Sequence, residues 1–369
     1  MDALQVTRRL SMSDVTVDVS QEEAERQLTV CNSCRYCEGY CNAFKALTRY
    51  RSFDKPTVSH LANLCHNCRG CYYACQYTEP HEFRINIPAL LANVRAQNWE
   101  QHIKPLWLSR TMQASVWPYV LLTMVFVILF SVGAGVSWAS SVPFYQSISH
   151  NTLISIFLPL FLLPWIAVFF GLKSYWKSVG GSRLTRHDLS FAFSSAATMK
   201  QLNGGQGQGC NYEAGDRYSN YRRWAHQATM YGFLFCFIST SLGTVYHYLF
   251  DLPAPYALFS LPKLFGVVGG LMLSVGTAAL IYLKNRADTA LGAAGRVAGE
   301  YAFVVLLFLV STTGLLLYWS QGTVFASSWL IVHLALIATF FVSIPYSKMV
   351  HGFFRIAALC REAQIQRLS

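Results

Sequence analysis

Six apolar stretches, each near the length needed to cross a bilayer, constrain this chain more than anything else in it. They are Val116 to Trp138, Thr152 to Gly171, Ala225 to Phe250, Leu258 to Leu283, Ala298 to Trp319 and Ser327 to Tyr346. Crossing about 30 Å of hydrocarbon takes roughly 20 residues of helix. Inside lipid a spanning segment has no water to bond its amides, so it must satisfy them itself, as a helix does. Pro159 and Pro164 interrupt the second stretch, which membrane helices tolerate. None of the six carries a charge deep inside it. A composition of 53% apolar and 13% charged residues agrees. The expected fold is an all-α membrane protein with six transmembrane helices.

Lysine and arginine set the orientation. The connector between the second and third stretches holds Lys173, Lys177, Arg183, Arg186, Lys200, Arg217, Arg222 and Arg223. The connector after the fourth holds Lys284, Arg286 and Arg296, and the tail holds Lys348, Arg355, Arg361 and Arg367. The intervening turns carry almost none. By the positive-inside rule, both termini and these connectors face the cytoplasm of a bacterial inner membrane. The first residues lack the apolar core of a secretory signal. The formal charge of +11 follows from this asymmetry and calls for no nucleic-acid partner. Within the first basic connector, "NGGQGQG" reads as a flexible linker, without the preceding strand that a phosphate-binding loop requires.

Residues 1–110 differ in kind. They are polar and hold eight of the eleven cysteines. "CNSCRYCEGYC", from Cys31 to Cys41, and "CHNCRGCYYAC", from Cys65 to Cys75, share the spacing C-x2-C-x2-C-x3-C. In a reducing compartment, clustered thiols hold metal more often than they form disulfides. Three cysteines at this interval let one tight loop wrap three corners of a cubane. In two-cluster ferredoxins the fourth cysteine of each run ligates the other run's cluster. The spacing therefore predicts one [4Fe-4S] cluster on Cys31, Cys34, Cys37 and Cys75, and a second on Cys65, Cys68, Cys71 and Cys41. Zinc is the competing reading, since paired C-x2-C units also build four-cysteine sites, but it leaves the third cysteine of each run unexplained. Asn42 and Gln76 stand where a proline often follows the fourth cysteine, which alters the turn more than the ligation. Ser20 and Glu23 have capping-box spacing and predict a helix leading into the first run. Cys210, Cys236 and Cys360 read as ordinary small residues. The expected organisation is a cytoplasmic, helical and loop ferredoxin-like domain over 1–110 and a transmembrane cytochrome b-like domain over 111–369.

Four of the ten histidines fall at the ends of expected spans, His226 and His247 on the third, His333 and His351 on the sixth. At 3.6 residues per turn, the interval from His333 to His351 is five whole turns, and that from His226 to His247 lies within about 60° of a common face. The third span runs outward and the sixth inward, so His226 is expected to face His351 near the cytoplasm and His247 to face His333 on the far side. Each pair could hold the iron of a b-type haem, giving a bundle with one or two haems. Gly232, Gly243, Gly266, Gly269, Gly270 and Gly314 would let a flat macrocycle approach the helices, or serve helix packing. Arg222, Arg223, Lys348 and Arg355 lie where haem propionates need cations, as the topology also requires. No glycine-rich fingerprint for FAD follows a strand and no acid-base constellation stands out. His81 and Glu82 adjoin the second cysteine run and read as part of its environment or of a docking surface.

Together with "PHEFRINIPALLANVR" (Pro80 to Arg95) and "HLALIATFFVSIPYSKMVHGFFR" (His333 to Arg355), the doubled run makes the chain resemble the tricarballylate (citrate) utilization protein B family, over nearly its whole length from Cys31. That resemblance implies a membrane electron-transfer subunit that reoxidises the flavin of a FAD-containing tricarballylate dehydrogenase. Electrons would pass through iron-sulfur clusters and b haem to membrane quinone. Substrate chemistry then belongs to the partner, docked on the domain over 1–110. The last four spans also resemble the di-haem cytochrome b subunits of respiratory nitrate and heterodisulfide reductases, where two histidines share the interval of His333 and His351. The spacing of His226 and His247 departs from that pattern. Two further readings stay open: an electron-transfer subunit of another flavoprotein system, heterodisulfide-reductase-like or fumarate-reductase-like, and a transporter accessory or redox sensor that the helices merely anchor.

Overall fold

The computed structural model describes residues 20–133, 148–204, 207–213, 215–252, 256–257 and 259–368. The readings of the first residues up to 19, of 134–138 at the end of the first apolar stretch, of Leu258, and of 205–206 in the glycine-rich connector lie outside the described residues. Among the described residues every extended regular element is a helix.

The cysteine-bearing part contains α1 (Gln21–Cys34), α2 (Asn42–Leu47), α3 (Lys55–Leu64) and α4 (Gly70–Tyr73), and α5 (Ile87–His102) leads out of it. Ser20 Oγ accepts from the Glu23 amide at 3.1 Å and starts α1. The Glu23 carboxylate turns instead to Arg26, so the expected box is half made. Asp54 caps α3 and Asn86 caps α5, each with a proline in the first turn, where its missing N–H costs nothing.

The remainder comprises α6 (Leu106–Ala114), α7 (Trp117–Ile128) continued by a π turn over Leu129–Gly133, α8 (His150–Ser178), α9 (Arg186–Ala197), α10 (Tyr221–Leu249), α11 (Leu261–Arg286), α12 (Val297–Trp319), α13 (Ala326–Ser343) and α14 (Val350–Leu368). Among the described residues α8, α10, α11, α12 and α13 are long and apolar enough to cross a membrane. The pair α6 and α7, bent by 102°, makes a sixth if it is one broken span. Pro159 and Pro164 sit inside α8 without ending it. Phe169, Phe170 and Val275 point outward with more than half of their surface exposed, as lipid-facing side chains do.

Two expectations change. The last span does not run on to His351: α13 stops at Ser343 and the chain turns through 344–349 before α14 begins. The five-turn relation between His333 and His351 assumed one continuous helix and does not hold. The glycine-rich connector is no linker in its described part either. Gly209 donates to Asn203 O at 3.0 Å and Cys210 bridges to Ser219, closing a tight turn. Gly209 sits at φ +97°, and a Cβ there would stand 2.2 Å from Ser219 O, so only glycine fits.

The core beneath the cysteine runs is shared between the two halves of the chain. Ala192 of α9 and Ala358, Leu359 and Cys360 of α14 pack with Leu28, Leu47, Phe53 and Leu61. Helix α5 is buried on nearly every side, as a helix clasped between two layers must be. Its polar groups are paired accordingly: Asn98 and Trp99 bond Asn63, and Glu100 pairs with Arg296 at the start of α12. Glu362 of α14, fully buried, receives Arg49 and His60 from the cysteine-bearing part.

Helices α10 and α11 pack backbone against backbone, and glycines make this possible. A Cβ on Gly232 would stand 2.5 Å from Leu273 N, and one on Gly276 2.6 Å from Thr229 N. Gly266 and Gly269 line the same seam, so these four glycines serve helix packing. We expect Gly232→Val to wedge the seam open, at roughly 1–3 kcal/mol for an overpacked site, and to lower the thermal midpoint in detergent. An unchanged midpoint would contradict this packing.

Candidate functional site

The two cysteine runs fold into similar loops. Arg35 and Arg69, each following the second cysteine of its run, both adopt positive φ, at 56° and 69°, and turn the chain sharply around the sulfurs. Cys31 and Cys34 end α1, Cys37 lies in the turn beyond, and Cys75 arrives from the second run. These four, with Cys71, line a cavity of about 270 Å³. Cys41, the N-cap of α2, joins Cys65, Cys68 and Cys71 around a narrower recess, beside His66 and Gln201. The structure thus brings together both sets of four drawn from the spacing, with Cys71 touching both spaces.

Electrostatics divides the thiols in the same way. Burial, then Cys75, Cys37 and Cys34, pushes Cys31 up to about 12, and burial with Cys75 and Cys34 does the same to Cys37. Burial, then Cys68 and Cys65, raises Cys41 and Cys71. Cys68 goes the other way, to about 6, through a hydrogen bond with the Cys210 thiol and the Gly70 amide, despite its burial. Buried thiols that repel one another's charge become thiolates together only around a cationic core. Among the described residues no three Cys, His, Asp or Glu side chains converge tightly enough to hold a single metal ion. Amide N–H groups of Asn67 and Tyr77 point at the sulfurs of Cys65 and Cys75, both at 3.3 Å, the kind of bond that tunes a multi-atom cluster.

Of the four histidines, His226 and His351 are brought together, with ring centroids 5.9 Å apart. Metal–imidazole bonds of about 2 Å on either side of one iron give centroids separated by roughly this distance. His351 Nδ1 lies 2.5 Å from Lys348 O; as the donor there, it leaves Nε2 free to ligate, the usual second-shell device. Burial, then His226 and Arg355, holds His351 well below the ordinary imidazole range, in its neutral, ligating form. Helices α10 and α13 meet through rings such as Phe233 and Phe340, with centroids 5.6 Å apart. The residues at this end of the bundle fit a haem.

At the other end, the structure does not bring His247 and His333 together. His247 packs on His150, centroids 4.2 Å apart, and His150 Nε2 meets the Tyr248 hydroxyl at 2.9 Å. His333 Nδ1 contacts Thr313 Oγ1 at 3.1 Å, and its ring lies against Gly314, where a Cβ would come within 2.9 Å. Gly314 therefore makes room for an imidazole, while Gly270 meets Leu315 and Gly243 lies beside Tyr256.

Arg95, Asn211 and Tyr212 beside these centres escaped the sequence reading, while Arg222 and Arg355, expected near haem propionates, end on main-chain carbonyls. Arg95 and Arg355 both donate to Cys65 O, at 2.5 and 2.7 Å, and Arg222 donates to Asn67 O at 2.7 Å and His66 O at 3.0 Å. Burial, then these arginines, keeps His66 neutral. The connector closes over Cys68: Asn211 N donates to Cys68 O at 2.9 Å, and Tyr212 lies under the guanidiniums of Arg69 and Arg222. Cys210 is part of this cover and not merely a small buried residue. Spacing could not reveal these contacts, which join segments far apart in the chain.

Comparison with known proteins places this geometry in a family. Residues 110–369 match the family model described as citrate utilization protein B, and residues 24–101 match that of the citrate utilization protein B Fer4-like domain. Citrate utilization protein B of Escherichia coli is 37% identical over 349 residues, which cover 93% of this chain and 92% of the relative. No solved structure matches significantly. Helical throughout its described regular elements, with five or six candidate spans among them and a Fer4-like domain ahead, the chain belongs to the citrate utilization protein B family.

Proposed function

We propose that this chain is the membrane electron-transfer subunit of a tricarballylate-oxidising system in the bacterial inner membrane, with both termini cytoplasmic. It reoxidises the flavin of a separate FAD-containing tricarballylate dehydrogenase and passes the electrons through two [4Fe-4S] clusters and b-type haem to membrane quinone. What supports this reading is the order of the donor sets. The cavity of Cys31, Cys34, Cys37 and Cys75 opens at the surface, with Cys34 exposed. The recess of Cys41, Cys65, Cys68 and Cys71 lies deeper, and the Cys65 carbonyl is held by Arg355, one helical turn from His351. A partner's flavin meets the first set, and the second lies toward the membrane.

Each group, when bound, would take up one electron and release it, being oxidised as its neighbour is reduced, with no bond made or broken. On the partner, tricarballylate loses two electrons and two protons to give cis-aconitate; the electrons travel singly, and quinone takes two of them with two protons. The chain's own residues hold and screen the centres. Phe44, Ile87 and Leu91 give the two spaces an apolar wall beside the sulfurs, and the Lys348 carbonyl fixes the His351 ring. His226 and His351 form the proposed haem site.

The purified protein should show haem Soret and alpha bands on reduction, and reduced partner with tricarballylate should bleach the cluster absorption and reduce the haem. Absence of haem bands would remove this reading, and equal reduction by a fumarate or disulfide couple would move it to another flavoprotein system. Cys75→Ser should cost about half of the iron and the EPR signal of the first run's cluster; loss of the other signal instead would refute the crossed ligation. His351→Ala should abolish haem binding while iron content persists. A variant that keeps its full haem complement would mean that the axial pair lies elsewhere.

A further inference from the structure

Arg222 precedes His226 by four residues on α10, and Arg355 follows His351 by four on α14. Residues at this spacing lie on one helix face, about one turn apart. Both guanidiniums end on the same three residues, Cys65 to Asn67, at the start of the second cysteine run. Two helices from distant parts of the chain thus grip one loop with the same residue type at the same remove from their histidines. Positive-inside topology explains basic residues near the cytoplasmic surface, but it leaves them in water. These two turn inward onto main-chain carbonyls, and the buried Arg355 Nε has no hydrogen-bond partner among the described residues. Arg95 adds a third guanidinium on the Cys65 carbonyl, and none of the three makes an ion pair among the described residues. Such a group of cations is stable only beside negative charge, which four cluster thiolates on one side and haem propionates on the other would supply.

We propose that Arg222 and Arg355 form a paired clamp that fixes the second cysteine run at one distance from the His226 and His351 pair and sets positive charge between the two centres. The inference rests on the electron-transfer reading above and adds which residues couple cluster to haem. Both arginines are positioning residues, since neither touches an iron. Two effects follow. Positive charge favours the reduced, more negative form of either centre, so its removal lowers both reduction potentials. The forked contact of Arg222 with two carbonyls fixes geometry, which an ammonium on a flexible stem cannot reproduce.

Substitution by glutamine and by lysine separates the two effects. In the full-length protein, R222Q and R355Q should lower the haem midpoint in a redox titration by about 59 mV or more, the equivalent of a tenfold change in a one-electron equilibrium. Haem reduction after mixing with reduced partner should slow at least tenfold. R222K and R355K should keep the midpoint but lose rate. Magnetic broadening between cluster and haem signals in EPR should weaken in all four. Wild-type protein without haem would remove the underlying reading. Wild-type protein carrying clusters and haem, with variants that match it in midpoint, rate and broadening, would overturn the clamp alone.

Discussion

Charge that must be buried where the cysteine loops meet the membrane helices is the constraint on which the rest of this structure depends. Thiols that push one another's titration upward and guanidiniums without ion-pair partners among the described residues converge within a few residues of Cys65. Neither set is comfortable alone, because an uncompensated buried charge is costly and a compensated one depends on geometry. Elsewhere at this seam the chain pairs its charges directly, through Glu300 with Lys284 and Lys348, and through Glu100 with Arg296. Around the second cysteine run it spends the guanidiniums on carbonyls instead.

This seam also explains why the cysteine-bearing part does not stand off from the membrane helices. A small domain of this size cannot bury much apolar surface by itself. Here its core is completed by α9 and α14, and α5 is wrapped so fully that its asparagines and glutamate need partners on both sides. Rigid docking of that kind suits a centre whose neighbour must stay at a fixed distance. The connector after Gly204, which closes over Cys68 through Cys210 and Asn211, adds a second attachment.

The long apolar helices and the doubled cysteine run were legible because each depends on local periodicity: about twenty apolar residues to cross lipid, and a fixed interval to wrap a cubane. The approach of His226 to His351 was legible as well, although it does not come about through one continuous helix. The break after Ser343 removes the continuous helix on which the face of His351 was calculated, yet α14 still delivers that ring to His226. The outer pair followed the same arithmetic and fails to meet, because His333 turns onto Thr313 and Gly314 while His247 lies against His150. Of the glycines expected to admit a macrocycle, Gly232, Gly266 and Gly269 are taken by the seam between α10 and α11, where backbone approach, invisible in one dimension, decides their use.

By itself, the amino-acid sequence determined which segments are long and apolar enough to cross a membrane, where the basic residues fall between them, and that eight cysteines repeat one spacing, since hydropathy, charge and short spacing act through neighbours along the chain. Only the tertiary structure decided that Arg95, Arg222 and Arg355 converge on one three-residue loop, that the glycine-rich connector seals Cys68, and that one histidine pair closes while the other does not. Those outcomes join residues from 30 to 290 positions apart, and they are set by helix breaks and by packing that no local pattern records.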